Sequence, residues 1–142
     1  MPDSGLTLLY QRRVREWAVR VRNDRRLADP DISVTRVSRT CGSAVTLDVR
    51  RRGDLIVELG WRARACTLGM ASTAIVVRHA CGRTFSEIEE TSRDLRRVLA
   101  GEDAAFIEPW GDLEIFRAAQ PFASRHSSIL LPFEALGDIR TR

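Results

Sequence analysis

Residues 44–61 read AVTLDVRRRGDLIVELGW, and this stretch decides the fold class. Apolar side chains occupy every second position on either side of a turn, as Val45, Leu47 and Val49 before it and as Leu55, Val57, Leu59 and Trp61 after it. Such alternation predicts two β-strands with one buried face. The turn, Arg51-Arg52-Gly53-Asp54, carries the glycine that a tight hairpin favours. We therefore expect a β-hairpin here, with residues 32–37 as a further strand.

Helical patterns lie on both sides of the hairpin. Before it, apolar residues recur at steps of three and four, as Leu6, Leu9, Tyr10, Val14, Trp17 and Val21. After it, residues 66–77 combine small and apolar side chains at helical spacing, which predicts a helix packed closely against the sheet. Residues 23–31 interrupt these patterns and are predicted to form a loop.

Three more helices are expected towards the end of the chain. Thr84 stands three residues before Glu87, the spacing of a capping box, and the helix that starts there should stop at Gly101. Residues 111–119 predict a short helix, and residues 129–136 predict a final one that contains Pro132. The order of helix, three strands and then helices predicts an α+β fold, with a small three-stranded antiparallel sheet and the helices packed on one face.

Length and composition fit one domain over residues 1–142. The chain has 142 residues, of which 44% are hydrophobic and 30% are charged, as expected for a soluble domain with a packed core. Its apolar runs are far shorter than the ~20 residues that cross a bilayer, so we expect no membrane partner. Three widely spaced cysteines do not suggest a disulfide framework and favour a reducing compartment, so the expected location is cytoplasmic.

Arginine supplies all the positive charge of the side chains. All 23 basic residues are Arg, against 19 acidic residues, for a net charge of +4. The arginines cluster in residues 12–26 and 50–52, but no helix-turn-helix or zinc-finger spacing accompanies them, which argues against a nucleic-acid partner. A solvated basic face is the simplest interpretation, and an acidic partner protein is the alternative.

Two of the three cysteines stand at the ends of predicted elements. Cys41 precedes the hairpin and Cys66 opens the helix after it, so both are expected at one end of the sheet. A helix N-terminus favours the thiolate, the form that binds metal or attacks sulfur, although each cysteine could instead be a small buried apolar residue. Cys81 is expected at the far end of the same helix, roughly 20 Å away, either as a packing residue or in a surface metal pair with His79.

Seven short segments in a fixed order carry a family resemblance. They are Leu9-Tyr10, Thr40-Cys41-Gly42, residues 65–72 (ACTLGMAS), Gly82-Arg83-Thr84, Gly101-Glu102, residues 111–114 (GDLE) and residues 125–130 (RHSSIL). Over nearly its whole length the chain resembles the NifU N-terminal, or IscU/SufU, family of iron–sulfur cluster assembly proteins, and residues 102–114 match an insertion typical of the SufU branch. The resemblance implies a SufE/NifU-N-like α+β scaffold with three cysteines and an aspartate at one end. Such a site binds zinc or a nascent iron–sulfur cluster and accepts sulfur from a pyridoxal-phosphate-dependent cysteine desulfurase.

Two positions depart from the family pattern. The aspartate that follows Thr-Cys-Gly in the family is Ser43 here. The third cysteine is replaced by Ser128, or by Ser127 if His126 is matched to the histidine that precedes this cysteine in the IscU branch. The implied metal ligands that remain are Cys41, Cys66 and, if its side chain points to that end, His126. Because a hydroxyl is a poor substitute for a thiolate ligand, we expect zinc or a cluster to be held weakly, or no metal at all.

The resemblance implies two alternative functions. The first is a SufU-like scaffold or sulfur acceptor, which takes sulfur on Cys66 or Cys41. The second is a metal-free paralogue that acts as a binding or regulatory module for the desulfurase. In either case we expect the desulfurase to contact Arg39, Arg64 and Arg125. The chain has no Ser-His-Asp set or phosphate-binding glycine loop, which favours a non-enzymatic role, and Ser128 in place of the acceptor cysteine argues against sulfurtransferase activity.

Overall fold

The computed structural model describes residues 11–40 and 42–142. Its helices and strands are α1 (Arg12–Ala18), β1 (Ile32–Val37), β2 (Ala44–Arg52), β3 (Leu55–Arg64), α2 (Thr67–His79), α3 (Phe85–Leu99) and α4 (His126–Arg140), with 3-10 helices at Val19–Val21, Trp110–Ala119 and Ala123–Arg125. This order confirms the predicted α+β fold. The predicted helical positions Leu6, Leu9 and Tyr10 lie outside the described residues.

The strands form an antiparallel sheet in the order β1-β2-β3. Gly53 makes the β2–β3 turn with a φ of 58°, a left-handed conformation that glycine adopts at little cost. Val45, Leu47 and Val49 have no exposed surface and share one face of β2, as the alternation predicted. The helices pack on this face and close the hydrophobic core.

Two apolar positions of the hairpin that the alternation placed on the buried face, Leu55 and Val57, do not belong to the hydrophobic core. The prediction for Val57 was wrong, because this side chain is 42% exposed whereas Ile56 is completely buried. A bulge causes the change, since Arg50 pairs with Glu58 but Arg51 pairs with Ile56, so that Val57 is skipped in the register. The extra residue reverses the alternation, and Leu59 and Ala63 beyond it return to the buried face.

The other face of the sheet is partly covered by the loop that joins α1 to β1. The Asp48 side chain points to this face and has no exposed surface. It accepts hydrogen bonds from Arg26 Nε (2.7 Å) and Nη2 (2.9 Å), from Ser33 Oγ (2.5 Å) and from the Leu27 amide (3.0 Å). Gly60 lets the loop approach, because a Cβ there would lie 2.7 Å from Arg25 O and from Leu27 N. The arginine cluster of residues 12–26 therefore contributes to the fold through Arg26.

The short helix predicted over residues 111–119 is present as a 3-10 helix at Trp110–Ala119, and the last helix is longer than predicted. The buried residues of the short helix recur at steps of three, as Trp110, Leu113, Phe116 and Ala119, which is the period that places side chains on one face of a 3-10 helix. Helix α4 begins three residues before the predicted start and continues to Arg140, with Pro132 in its interior.

Candidate functional site

Cys66 lies where the hairpin ends and α2 begins. It is the N-cap residue of α2 and has extended backbone angles, and no side-chain hydrogen bond caps the helix there. Its backbone amide donates a hydrogen bond to Ser43 Oγ at 3.1 Å. This bond joins Cys66 to the residue two positions after Cys41. Cys41 itself lies outside the described residues, so its distance from Cys66 stays a prediction.

The pairing register of the β2–β3 hairpin explains why Ser43 and Cys66 lie in contact although they are far apart in the sequence. Ala44 pairs with Arg64 at the open end of the β2–β3 hairpin, so the residues just outside the pair are brought together. On the other side, the Ser38 amide donates to Ser43 O at 2.7 Å and the Gly42 amide donates to Ser38 O at 3.1 Å. These bonds hold Ser38, Gly42 and Ser43 together at the same end of the sheet.

Three hydroxyl groups form a cluster beside this turn. Ser127 Oγ, in the first turn of α4, is hydrogen bonded to Ser38 Oγ (2.8 Å) and to Thr40 Oγ1 (2.7 Å). Ser38 Oγ and Thr40 Oγ1 are also 3.1 Å apart. The hydroxyl cluster of Ser38, Thr40 and Ser127 was not found from the sequence, because 87 residues separate Thr40 from Ser127 and serine and threonine alone carry no spacing signal.

Ser128 lies on a different side of the site from Ser127. It is only 1% exposed and packs against the first turn of α2, where Gly69 leaves room for it. A Cβ on Gly69 would lie 3.3 Å from Ser128 O and 3.5 Å from Ser128 Cβ. The two serines that could occupy the position of the family's third cysteine therefore lie on different sides of the site. Ser127 lies beside Thr40, and Ser128 lies beside α2, the helix that begins after Cys66.

His126 is held by the backbone. Its Nε2 lies 2.7 Å from Ala119 O, and because a carbonyl only accepts, this nitrogen donates the proton. Only Nδ1 is then left for a metal ion. The role of His126 as a ligand remains a prediction.

The described residues do not by themselves fit a zinc site or a cluster site. Within residues 11–40 and 42–142, no three His, Cys, Asp or Glu side chains are grouped so as to hold a metal ion. Ser43 Oγ accepts the hydrogen bond of the Cys66 amide. Neutral hydroxyls such as those of Ser43, Ser127 and Ser128 are weak ligands for zinc or iron. A metal would therefore depend on Cys41 or on ligands from a partner.

Cys81 and His79 lie at the other end of α2 and do not extend the site. Cys81 is an exposed residue, so the packing interpretation does not describe it. Partial desolvation of its sulfur raises the pKa of the Cys81 thiol, although a hydrogen bond with the Leu59 backbone opposes this. The His79 Nε2 lies 2.8 Å from Asp112 Oδ2, so this ring attaches α2 to the 3-10 helix of residues 110–119.

The three arginines predicted to meet a partner have different surroundings. Arg64 donates to both carboxylate oxygens of Asp24, at 2.7 and 3.2 Å, and this contact raises the pKa of Arg64 and lowers that of Asp24. Arg39 is exposed next to Thr40, and Arg125 is half-buried just before α4. Neither of these two guanidinium groups has a carboxylate within 4 Å among the described residues. Arg39 and Arg125 thus have charge to offer a partner, whereas Arg64 is already paired.

Fold and site together define a small α+β protein that presents a cysteine where a hairpin ends and a helix begins. An N-terminal NifU-like protein from Brucella abortus has the same fold, with a TM-score of 0.89 and 29% identity over 95% of this chain and 94% of that chain. A putative iron–sulfur cluster assembly scaffold protein for the SUF system from Fervidobacterium islandicum AW-1 superimposes with a TM-score of 0.82 at 21% identity, over 93% of this chain and 96% of that one.

A curated protein is also similar to this chain in sequence. The chain is 22% identical to the zinc-dependent sulfurtransferase SufU of Bacillus subtilis (strain 168) over 134 residues, which are 94% of this chain and 90% of that protein. No family model matches the chain. These similarities support the resemblance to the IscU/SufU family that the seven sequence segments carry.

Proposed function

We propose that this protein takes part in iron–sulfur cluster assembly and accepts sulfur on Cys66 from a pyridoxal-phosphate-dependent cysteine desulfurase. The observation that carries the proposal is the position of Cys66, at the N-terminus of α2 and hydrogen bonded through its amide to Ser43. The family relationship supports the same role. The proposed location is the cytoplasm, and no helix within the described residues is long and apolar enough to cross a membrane.

The proposed transfer is a thiol exchange without net oxidation. The Cys66 thiolate attacks the outer sulfur of a persulfide on the desulfurase, the sulfur–sulfur bond of that persulfide breaks, and the donor cysteine leaves as a thiolate. Cys66 then carries the persulfide. Cys66 is the N-cap residue of α2, and the first turn of this helix contains no acidic side chain that would repel the attacking thiolate. The bond to Ser43 fixes the backbone from which the thiol projects.

We expect the purified protein to contain little zinc or iron–sulfur cluster. Zinc or an iron–sulfur cluster would need thiolate ligands, and only Cys66 among the described residues near the site supplies one. With Cys41 as a second ligand, we expect zinc that is substoichiometric or readily removed by chelators, and little cluster after anaerobic reconstitution. Metal analysis of protein purified without chelator, beside a Cys41→Ala variant, measures this.

A second candidate function is a metal-free module that binds and regulates the desulfurase. The observation that favours it is the hydroxyl cluster, because Ser127 is bonded to Ser38 and Thr40 close to where the family has its third cysteine. A hydroxyl cannot take part in thiol exchange, and this end of the protein would then serve for docking alone.

Desulfurase turnover separates the two candidates. The protein is added to its cognate cysteine desulfurase, and sulfide release is followed with wild type, Cys66→Ala and Cys81→Ala. A sulfur acceptor raises turnover, weakly because the usual third thiol is missing, and loses this effect in Cys66→Ala but not in Cys81→Ala. A docking module binds the desulfurase equally well in all three forms without raising turnover. If no desulfurase binds at any salt concentration, both functions are refuted.

A further inference from the structure

A groove runs beside Cys66 between the first described helix and the start of α2. Arg15, Val19 and Arg22 form one of its walls, at steps of four and three residues that place them on one stripe of α1 and of the 3-10 helix after it. Ala65, Thr67 and Met70 form the opposite wall. We call this cavity of about 310 Å³ the α1–α2 groove.

The groove has the composition of a docking surface. Val19 is 51% exposed although the opposite side of the same helical segment buries Val14, Trp17 and Val21 in the core. The two arginines stand at either end of the stripe, seven residues and therefore about 10 Å apart along the helix. Arg22 has no carboxylate within 4 Å among the described residues. An apolar centre between two guanidinium groups matches a partner segment with an apolar side chain between two carboxylates.

The position of the groove connects it to the transfer site. Ala65 and Thr67, which line it, are the residues immediately before and after Cys66. A segment seated in the groove would therefore pass close to the Cys66 backbone, from which the thiol projects. Arg39 and Arg125, which adjoin the hydroxyl cluster in the sequence, are not among the residues that line the groove.

We propose that the α1–α2 groove holds the segment of the sulfur donor that lies beside its persulfide, through one apolar side chain and two carboxylates spaced about 10 Å apart. This proposal rests on the proposed function, because it assumes that Cys66 receives sulfur from a protein donor. Docking in the groove aligns the donor persulfide with Cys66 before exchange. Arg15 and Arg22 bind the donor and take no part in the chemistry.

The test uses two donors, one that needs docking and one that does not. Arg15→Glu/Arg22→Glu and the single Arg22→Glu are compared with wild type and with the control Arg52→Glu/Arg78→Glu, which makes the same charge change at two exposed arginines remote from the groove. Cys66 persulfide is quantified after exposure to the cognate desulfurase with cysteine, and separately after exposure to glutathione persulfide. Binding to the desulfurase is measured at low and high salt.

The groove variants should bind the desulfurase at least tenfold more weakly at low salt and accept correspondingly less sulfur from it. Their reaction with glutathione persulfide should match wild type, which also shows that they are folded, and the control should stay within twofold of wild type in every assay. Groove variants that bind the desulfurase like wild type would overturn the groove proposal alone. Wild type that takes sulfur from glutathione persulfide but not from the desulfurase would overturn the proposed function. A dimer of wild type that the groove variants convert to a monomer would assign the groove to a second copy of this chain and refute the proposal.

Discussion

The Cys66 amide donates its hydrogen bond to the Ser43 hydroxyl at 3.1 Å, so the residue at the position where the resemblance implies an aspartate contacts the backbone of the proposed sulfur acceptor. Ser43 is 3% exposed and lies next to the open end of the hairpin. A carboxylate at this position could accept the same bond and would add a negative ligand beside the thiol. Serine keeps the bond without the charge, so we expect the fold to persist while metal affinity falls.

Restoring the missing ligands should restore metal binding. Ser43→Asp combined with Ser128→Cys adds a carboxylate and a thiolate at the end of the sheet where Cys66 lies, and bound zinc should rise from substoichiometric to about one ion per chain. Metal analysis after dialysis against a weak chelator measures the change. The combination Ser43→Asp with Ser127→Cys determines which serine occupies the third cysteine position, and no gain with either pair would mean that the pocket itself has diverged.

Desulfurase binding should weaken as salt rises, because guanidinium groups at an interface attract acidic groups through screened charges. Arg125→Glu should reduce the affinity at low salt several-fold, and Arg39→Glu should act in the same direction. Arg64→Glu should have a smaller effect, because Arg64 is already bound to Asp24. Titrations at two salt concentrations test this, and an affinity that is independent of salt would contradict it.

The Asp48 carboxylate should make the stability of the fold depend on pH in the acidic range. Desolvation opposes ionisation of this carboxylate, but the hydrogen bonds from Arg26, Ser33 and the Leu27 amide prevail and lower its pKa. Asp48→Asn should therefore cost about 2–4 kcal/mol of unfolding free energy at pH 7. Because a lowered folded pKa gives stability that is lost as pH falls below about 4, the difference between wild type and variant should shrink there. Denaturant unfolding at several pH values measures it, with the exposed Asp29→Asn as control.

Two glycine-to-alanine substitutions should change the free energy of unfolding in opposite directions. At Gly60 a Cβ would lie 2.7 Å from two backbone atoms of the covering loop, so Gly60→Ala should destabilise the fold by about 1–3 kcal/mol. At Gly137, inside α4, nothing lies within 4 Å of the added Cβ, so Gly137→Ala should stabilise by about 0.5–1 kcal/mol. Thermal unfolding of both variants tests the packing, and a stabilising Gly60→Ala would contradict the close approach of loop and sheet.

The sequence predicts the elements that depend on local spacing. The alternation around Gly53 gave the hairpin, and the Thr84 hydroxyl accepts from the Glu87 amide as the capping box required. The sequence does not predict that Val57 is exposed, because a bulge depends on how two strands pair and leaves no local pattern. The 3-10 form of residues 110–119 likewise depends on which side chains the core buries.

The candidate site is only partly encoded in local sequence. The positions of Cys66 and Ser43 followed from the hairpin, but their hydrogen bond depends on the register at Ala44 and Arg64. The hydroxyl cluster and the α1–α2 groove join segments that are far apart in the chain, so no motif could reveal them. The family resemblance identified which residues to examine, and the structure gives the hydrogen-bond partners of Ser43 and Ser127.

The most direct test of the account is to locate the transferred sulfur. The protein is incubated with its cognate desulfurase and isotopically labelled cysteine, free thiols and persulfides are trapped by alkylation, and the peptides that contain Cys41, Cys66 and Cys81 are analysed by mass spectrometry. The account predicts labelled persulfide on Cys66, its loss in Cys66→Ala, and none on Cys81. Transfer that is undiminished in Cys66→Ala, or no label on any cysteine while the desulfurase is bound, would contradict it.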